Sequence, residues 1–124
     1  MPRPASAGGG AKTDTGRAAE AAAATFLAAR GLTLVATNYR CRRGEIDLVL
    51  REAGTIVFVE VRLRTHPSFG GAAESIDARK RSRIIAAARH YLAGKPELPC
   101  RFDAVLLDRL DPPRIQWIRD AFST

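Results

Sequence analysis

The sequence predicts a single mixed α/β domain with the order helix, three strands, helix and then one or two strands. Two proline-free stretches carry helical features, and short runs rich in β-branched residues lie between and after them. At 124 residues with 46% hydrophobic residues, the chain is long enough for one domain and apolar enough for one core. This composition excludes a collagen-like repeat and a globally disordered chain.

The first part of the chain predicts a tail, a helix and a strand. Residues 1–14 are rich in Pro, Gly, Ala and Ser without a continuous apolar run, which is typical of a disordered tail rather than a signal peptide. The domain then covers residues 15–124. An alanine-rich stretch at 16–30 favours a helix that ends before Gly31, and a loose alternation over 32–39 favours a strand.

The remaining part of the chain predicts four further strands and a second helix. The strands are expected at residues 45–51, 56–63, 101–108 and 115–118. Ala53 and Gly54 form the turn between the first two of these. Glycine and proline in residues 64–75 favour a mobile loop, and Asp77 caps a helix that runs to about Ala93.

The hairpin formed by the second and third strands places two acids face to face. With a two-residue loop at its turn, Asp47 lies directly opposite Glu60, and Glu45 lies opposite Arg62. The other face is entirely apolar, so we expect it to be the core side. The residues of that face are Ile46, Leu48, Leu50, Val57, Val59, Val61 and Leu63.

Like charges opposite each other destabilise a sheet unless something neutralises them. A divalent cation would do so, and paired carboxylates suit Mg²⁺ or Mn²⁺. The alternative is a surface ion-pair network with Arg51, Arg62 or Arg64. Glu20 would add a third carboxylate if the first helix packs on the carboxylate face. Otherwise Glu20 is a first-turn acid favoured by the helix dipole.

Basic side chains surround these acids in the sequence. The net charge of +7, from 20 Lys and Arg against 13 Asp and Glu, favours a polyanionic partner, nucleic acid above all. Residues 62–90 hold seven of these cations and only two acids. The candidate nucleic-acid-binding residues are Arg40, Arg42, Arg43, Arg64, Arg79, Lys80 and Arg83. The alternative interpretation is an ordinary solvated helix face.

Four short motifs in order resemble the YraN-like family of small bacterial proteins. They are GRAAE at 16–20, GEIDLV at 44–49, FVEVR at 58–62 and CRFD at 100–103. The resemblance covers roughly residues 15–124. That family is similar to archaeal Holliday junction resolvases and to the PD-(D/E)XK nuclease superfamily, which implies a restriction-endonuclease-like core. The similarity to resolvases also implies a homodimer. The short apolar runs, the few cysteines and the lack of a signal-peptide pattern lead us to expect a cytoplasmic protein without membrane association.

The resemblance implies a role for each candidate site residue. Asp47 and Glu60 would be the ligands of Mg²⁺ or Mn²⁺, and Glu20 would support the metal or a water molecule. Arg62 stands where the superfamily has a lysine, and arginine cannot act as a base. With Glu20, Asp47, Glu60 and Arg62 as catalytic residues, the implied activity is metal-dependent phosphodiester hydrolysis on branched or damaged DNA.

Two other functions are consistent with the same sequence. Because Arg62 cannot lose its proton, the protein could bind DNA without cleaving it. Alternatively, the basic helix could bind an acidic protein partner, in which case the protein is an adaptor.

Overall fold

The computed structural model describes residues 13–64 and 76–124. Their elements are α1 (Asp14–Ala28), β1 (Thr33–Cys41), β2 (Gly44–Glu52), β3 (Thr55–Leu63), α2 (Ala78–Leu92), β4 (Cys100–Leu110) and β5 (Pro113–Phe122). This order confirms the predicted mixed α/β class. The predicted disordered tail, up to residue 12, and most of the predicted mobile loop, at 65–75, lie outside the described residues.

The five strands form one sheet in the order β1-β2-β3-β4-β5. Neighbouring strands are antiparallel, except that β3 and β4 are parallel and are connected through α2. The turn between β2 and β3 has the predicted register, since Glu52 pairs with Thr55. Ala53 and Gly54 have φ values of 49° and 91°, as a two-residue turn with two left-handed residues requires.

Helix α1 begins earlier than predicted. The Oγ1 atom of Thr13 accepts a hydrogen bond from the backbone N–H of Gly16 at 2.9 Å, which caps the helix. Thr13 and Asp14, which the sequence pattern placed in the tail, therefore belong to the start of α1. Neither helix in the described ranges has the length and apolar character needed to cross a membrane.

The two helices pack on opposite faces of the sheet. On the α1 face, Ala19, Ala23 and Leu27 pack against apolar residues that include Leu48 and Val59. On the α2 face lies a second buried cluster, formed by Ile46, Val49, Ile56, Phe58, Ile76, Ile84, Ala87, Ala88, Phe102, Ala104 and Leu106. The apolar face of the hairpin is a core side, as expected, and the carboxylate face is a second core side. Parallel pairing of β3 with β4 needs a crossover helix, and that helix covers the carboxylate face.

Strand β2 is irregular at Asp47. Ile46 packs in the α2 cluster and Leu48 in the α1 cluster, although residues two apart in a regular strand share a face. The paired region of β2 and β3 begins only at Leu48 and Val59. The assignment of Ile46 to the same face as Leu48 is thus wrong. The regular alternation of side chains is interrupted at Asp47, so that residues before and after it face opposite sides of the sheet.

The predicted pair of Glu45 with Arg62 is not part of this ladder. Glu45 instead pairs in register with Arg40 of β1, whose Nε atom lies 3.6 Å from the Glu45 Oε1 atom. This difference from the predicted pairing has the same physical cause as the irregularity at Asp47. The β2–β3 ladder opens at its far end, where β2 continues to pair with β1.

Candidate active site

The two predicted metal ligands lie together at the opened end of the β2–β3 ladder. Asp47 and Glu60 are each only 4% exposed, and a side-chain hydrogen bond joins them. The Oδ2 atom of Asp47 also accepts a hydrogen bond from the backbone N–H of Val61 at 2.8 Å. The Asp47 carboxylate thus satisfies a strand N–H where the backbone ladder has opened. The predicted proximity of the two acids is confirmed.

The buried acid pair has an unusual charge state. Burial raises the pKa of Glu60 to about 8, and the nearby charge of Asp47 contributes to this rise. Lys80 and Arg62 act in the opposite direction, because their positive charges favour the ionised form. Glu60 therefore keeps its proton at pH values at which an ordinary glutamate has already lost it.

Two cations contact the same carboxylate oxygen. The Oε2 atom of Glu60 lies 3.5 Å from the Nε atom of Arg62 and 3.5 Å from the Nζ atom of Lys80. Arg62 comes from β3, two residues beyond Glu60, whereas Lys80 comes from the first turn of α2. Part of the ion-pair alternative is therefore present, through Arg62. Lys80, which we predicted only as a nucleic-acid contact, lies at the acid pair.

Glu20 lies in α1 and is anchored to β1. Its Oε1 atom accepts a hydrogen bond from the Nδ2 atom of Asn38 at 3.1 Å, and the side chain is 7% exposed. No group of three His, Cys, Asp or Glu residues in the described ranges is placed to hold a metal ion. Glu20 thus does not join Asp47 and Glu60 in a three-carboxylate group, and α1 packs on the sheet face opposite to α2.

Asn38 is a site residue that the sequence pattern did not identify. It lies between the pairs Thr37–Leu48 and Tyr39–Ile46, which places it opposite Asp47 at the point where both strands turn over. Its φ of 50° is left-handed, a conformation that asparagine tolerates better than most residues. An asparagine inside a strand pattern was the available signal for this irregularity.

A cavity of about 240 Å³ lies between the start of α1 and the end of β3. Glu20 and Arg62 both line it, together with Thr13, Gly16 and Arg64. The structure thus brings the candidates Glu20 and Arg62 to one cavity. Asp47 and Glu60 are not among its lining residues.

The predicted nucleic-acid-binding residues are divided between exposed and half-buried positions. Arg40 and Lys80 are half-buried beside acids, Glu45 and Glu60 respectively. The five exposed residues are Arg42, Arg43, Arg64, Arg79 and Arg83.

A close backbone contact brings two groups of the exposed arginines to one side of the molecule. Arg42 and Arg43 form the turn between β1 and β2, immediately before Gly44. A Cβ atom at Gly44 would lie 2.0 Å from the carbonyl oxygen of Arg83, so this turn packs directly on α2. The turn that carries Arg42 and Arg43 therefore lies beside α2, the helix that carries Arg79 and Arg83.

The acid of the fourth motif, Asp103, has a structural role. Asp103 is fully buried and accepts hydrogen bonds from the Arg101 Nε atom at 3.0 Å and the Trp117 Nε1 atom at 2.9 Å. It also accepts one from the backbone N–H of Asp120 at 2.8 Å. These contacts join β4 to β5 and leave Asp103 outside the candidate site.

The fold and the site define a small α/β protein with a buried acid pair at the opened end of a central hairpin. The model of the uncharacterised protein family UPF0102 matches residues 19–107, and the chain belongs to this family. This finding confirms the family resemblance drawn from the four motifs.

Relatives from three bacteria cover most of the chain. A UPF0102 protein from Methylobacillus flagellatus is 56% identical over 105 residues, which cover 85% of this chain and 93% of the relative. One from Nitrosomonas europaea is 58% identical over 108 residues, with 86% and 92% covered. One from Ralstonia nicotianae is 54% identical over 127 residues, with 98% and 95% covered.

Proposed function

We propose that this protein is a metal-dependent nuclease that hydrolyses phosphodiester bonds in DNA. The observation that carries the proposal is the contact between Asp47 and Glu60, two acids that are each 4% exposed. Burying two acids together costs stability, and strongly shifted carboxyl groups of this kind are frequent at functional sites. Branched or damaged DNA is the substrate class implied by the resemblance to resolvases.

The donor set fits Mg²⁺ or Mn²⁺. Magnesium sites commonly use one or two protein carboxylates, while water and substrate phosphate complete the coordination. Asp47 and Glu60 would be the two carboxylate ligands, and the carbonyl oxygen of Val61 is a further candidate. A metal bound there would lower the pKa of a water ligand and stabilise negative charge on the phosphate.

The other residues of the site have roles that follow from their chemistry. Arg62 stays protonated and presents a planar fork of N–H donors, so it stabilises charge on a phosphate oxygen. Glu20 is held by Asn38 and lines the same cavity as Arg62, where its carboxylate can orient a water molecule. Neither role requires Arg62 to give up its proton.

The exposed arginines supply affinity for the DNA backbone. Arg42 and Arg43 in the β1–β2 turn lie beside α2, which carries Arg79 and Arg83. Phosphate contacts from such a surface are largely independent of sequence and weaken as salt is raised.

The activity is tested with a panel of linear, flapped and four-way DNA in the presence of Mn²⁺ or Mg²⁺. We expect Asp47→Asn and Glu60→Ala to abolish cleavage, because each removes one carboxylate of the pair. The matched control is Glu52→Gln, since Glu52 pairs with Arg101 and Arg119 away from the site. Cleavage that survives both site variants would contradict the proposal.

The second candidate is a DNA-binding protein without turnover, which Arg62 favours because it cannot accept a proton from water. This function predicts salt-dependent DNA binding with no cleavage of any substrate on the panel. Binding that is insensitive to salt would instead favour an acidic protein as the partner.

A further inference from the structure

Glu60 holds its two cations at one oxygen. Arg62 and Lys80 both approach the Oε2 atom, at 3.5 Å each, and that oxygen belongs to a carboxylate proposed to ligate a metal. A divalent ion at this carboxylate and the nearby ammonium would repel each other. In the metal-free protein, the two side chains therefore provide the positive charge that a metal would provide in the loaded protein.

The two cations differ in how firmly their positions are held. Arg62 extends from a central strand and its side chain is 20% exposed. Lys80 carries a compact ammonium on a flexible stem, and its side chain is 30% exposed. The backbone N–H of Lys80 donates to the Oδ1 atom of Asp77 at 2.9 Å, so the helix start is anchored while the side chain has access to solvent.

Lys80 also lies next to the proposed DNA-binding surface. Its neighbours along α2, Arg79 and Arg83, are exposed, and the β1–β2 turn with its arginines packs on the same helix. An ammonium that leaves Glu60 can therefore reach the side of the molecule where DNA phosphates are expected to bind.

We propose that Lys80 is a positioning residue that couples metal binding to nucleic-acid binding. Its ammonium offsets the negative charge of the Asp47–Glu60 pair in the metal-free protein, and it moves to a backbone phosphate when the acid pair takes up a divalent cation. This inference rests on the proposed function, since it requires a metal at Asp47 and Glu60 and a polyanionic ligand. Linkage then makes the coupling reciprocal, so metal and DNA strengthen each other's binding by the same factor.

The test measures Mn²⁺ affinity by calorimetry, with and without four-way DNA whose phosphodiester bonds are replaced by linkages that resist hydrolysis. For wild type, we expect DNA to tighten Mn²⁺ binding about fivefold or more. Lys80→Met should bind Mn²⁺ about fivefold or more tightly than wild type in the absence of DNA, because a competing cation is gone, and should lose most of the coupling. Lys80→Gln gives the same comparison with a polar side chain, and circular dichroism verifies folding.

Arg79→Met is the matched control, because it removes a neighbouring exposed cation of α2. It should weaken DNA binding but leave the Mn²⁺ affinity without DNA and the coupling unchanged. If neither Lys80 variant binds Mn²⁺ more tightly than wild type, or if both keep the full coupling, the role of Lys80 is disproved while the nuclease proposal stands. If Asp47→Asn binds Mn²⁺ as well as wild type does, the proposed metal site itself fails.

Discussion

At the residue scale, both burial and neighbouring charges determine the pKa of Glu60. Its side chain contacts one acid, Asp47, and two cations, Arg62 and Lys80. Burial and Asp47 raise its pKa to about 8, while the two cations lower it, so burial dominates. The protonation of Glu60 is consequently linked to folding.

The sign of this linkage gives a testable prediction. The pKa of Glu60 is about 8 in the folded protein against an ordinary value of 4.5, so the folded state binds this proton more tightly than the unfolded chain. Its contribution to the free energy of unfolding is fully present below pH 4.5 and is lost as pH rises through about 8. Glu60→Gln is neutral at every pH, so it should remove this decline. Urea unfolding across this pH range measures the difference.

Glu52 provides a control because its pKa is shifted in the opposite direction to that of Glu60. Hydrogen bonds from Arg119 and Arg101 lower the pKa of Glu52, so its contribution is present above its ordinary pKa and is lost as pH falls. Glu52→Gln should therefore leave the decline toward high pH intact. Parallel pH profiles for wild type and Glu60→Gln would contradict the assignment of that decline to Glu60.

At the element scale, helix α2 and the irregular pair of strands form the site. Strand β1 turns over at Asn38 and strand β2 turns over at Asp47, which opens the ladder and directs the Asp47 carboxylate to the Val61 N–H. Helix α2 then covers this face and adds Lys80. The geometry of the site therefore depends on how α2 packs on β2.

Gly44 sets the distance between the β1–β2 turn and α2. A Cβ atom at this position would lie 2.0 Å from the Arg83 carbonyl oxygen, and a backbone atom cannot move aside cheaply. We expect Gly44→Ala to push α2 from the sheet and to lower the free energy of unfolding by about 1–3 kcal/mol. Urea unfolding measures the decrease.

The control for this substitution is Ser82→Ala, which changes an exposed residue of the same helix. Alanine has a high helix propensity, so this variant should be as stable as wild type or slightly more stable. An unchanged free energy of unfolding for Gly44→Ala would show that the turn and the helix do not touch as described.

At the scale of the whole molecule, Arg42 and Arg43 of the β1–β2 turn lie beside α2, the helix whose Lys80 contacts the acid pair. In the proposed complex with DNA, attraction of the polyanion to these arginines would bring its phosphates close to Asp47 and Glu60, which would otherwise repel them. The cations around Glu60 reduce that repulsion. The net charge of +7 would thus attract a polyanion more strongly to one side of the molecule than to the other.

Salt dependence of DNA binding tests this asymmetry. Replacing both Arg42 and Arg43 by Gln should make the slope of log affinity against log salt shallower by about 0.9 for each DNA phosphate that the variant no longer neutralises. Arg30→Gln is the control, since Arg30 is exposed just after α1, the helix on the opposite sheet face. An equal change of slope in the double variant and in Arg30→Gln would show that DNA does not bind preferentially on the side of α2.

Local features of the sequence predicted much of the fold and part of the site. The proximity of Asp47 and Glu60 was predicted from the two-residue turn at Ala53 and Gly54, which fixes the register as far as the pair Leu48–Val59. The irregularity at Asp47 was not predicted. The reach of Lys80 to Glu60 could not be predicted, because it depends on the face on which α2 packs.

Element order and the β2–β3 register were determined by the sequence itself, because turn chemistry and hydrophobic periodicity act between near neighbours. Only the tertiary structure decided that both sheet faces are core, that Glu20 contacts Asn38 and that Lys80 joins Glu60. Each of these depends on long-range packing, in which parallel pairing of β3 with β4 commits α2 to one face and leaves α1 on the other.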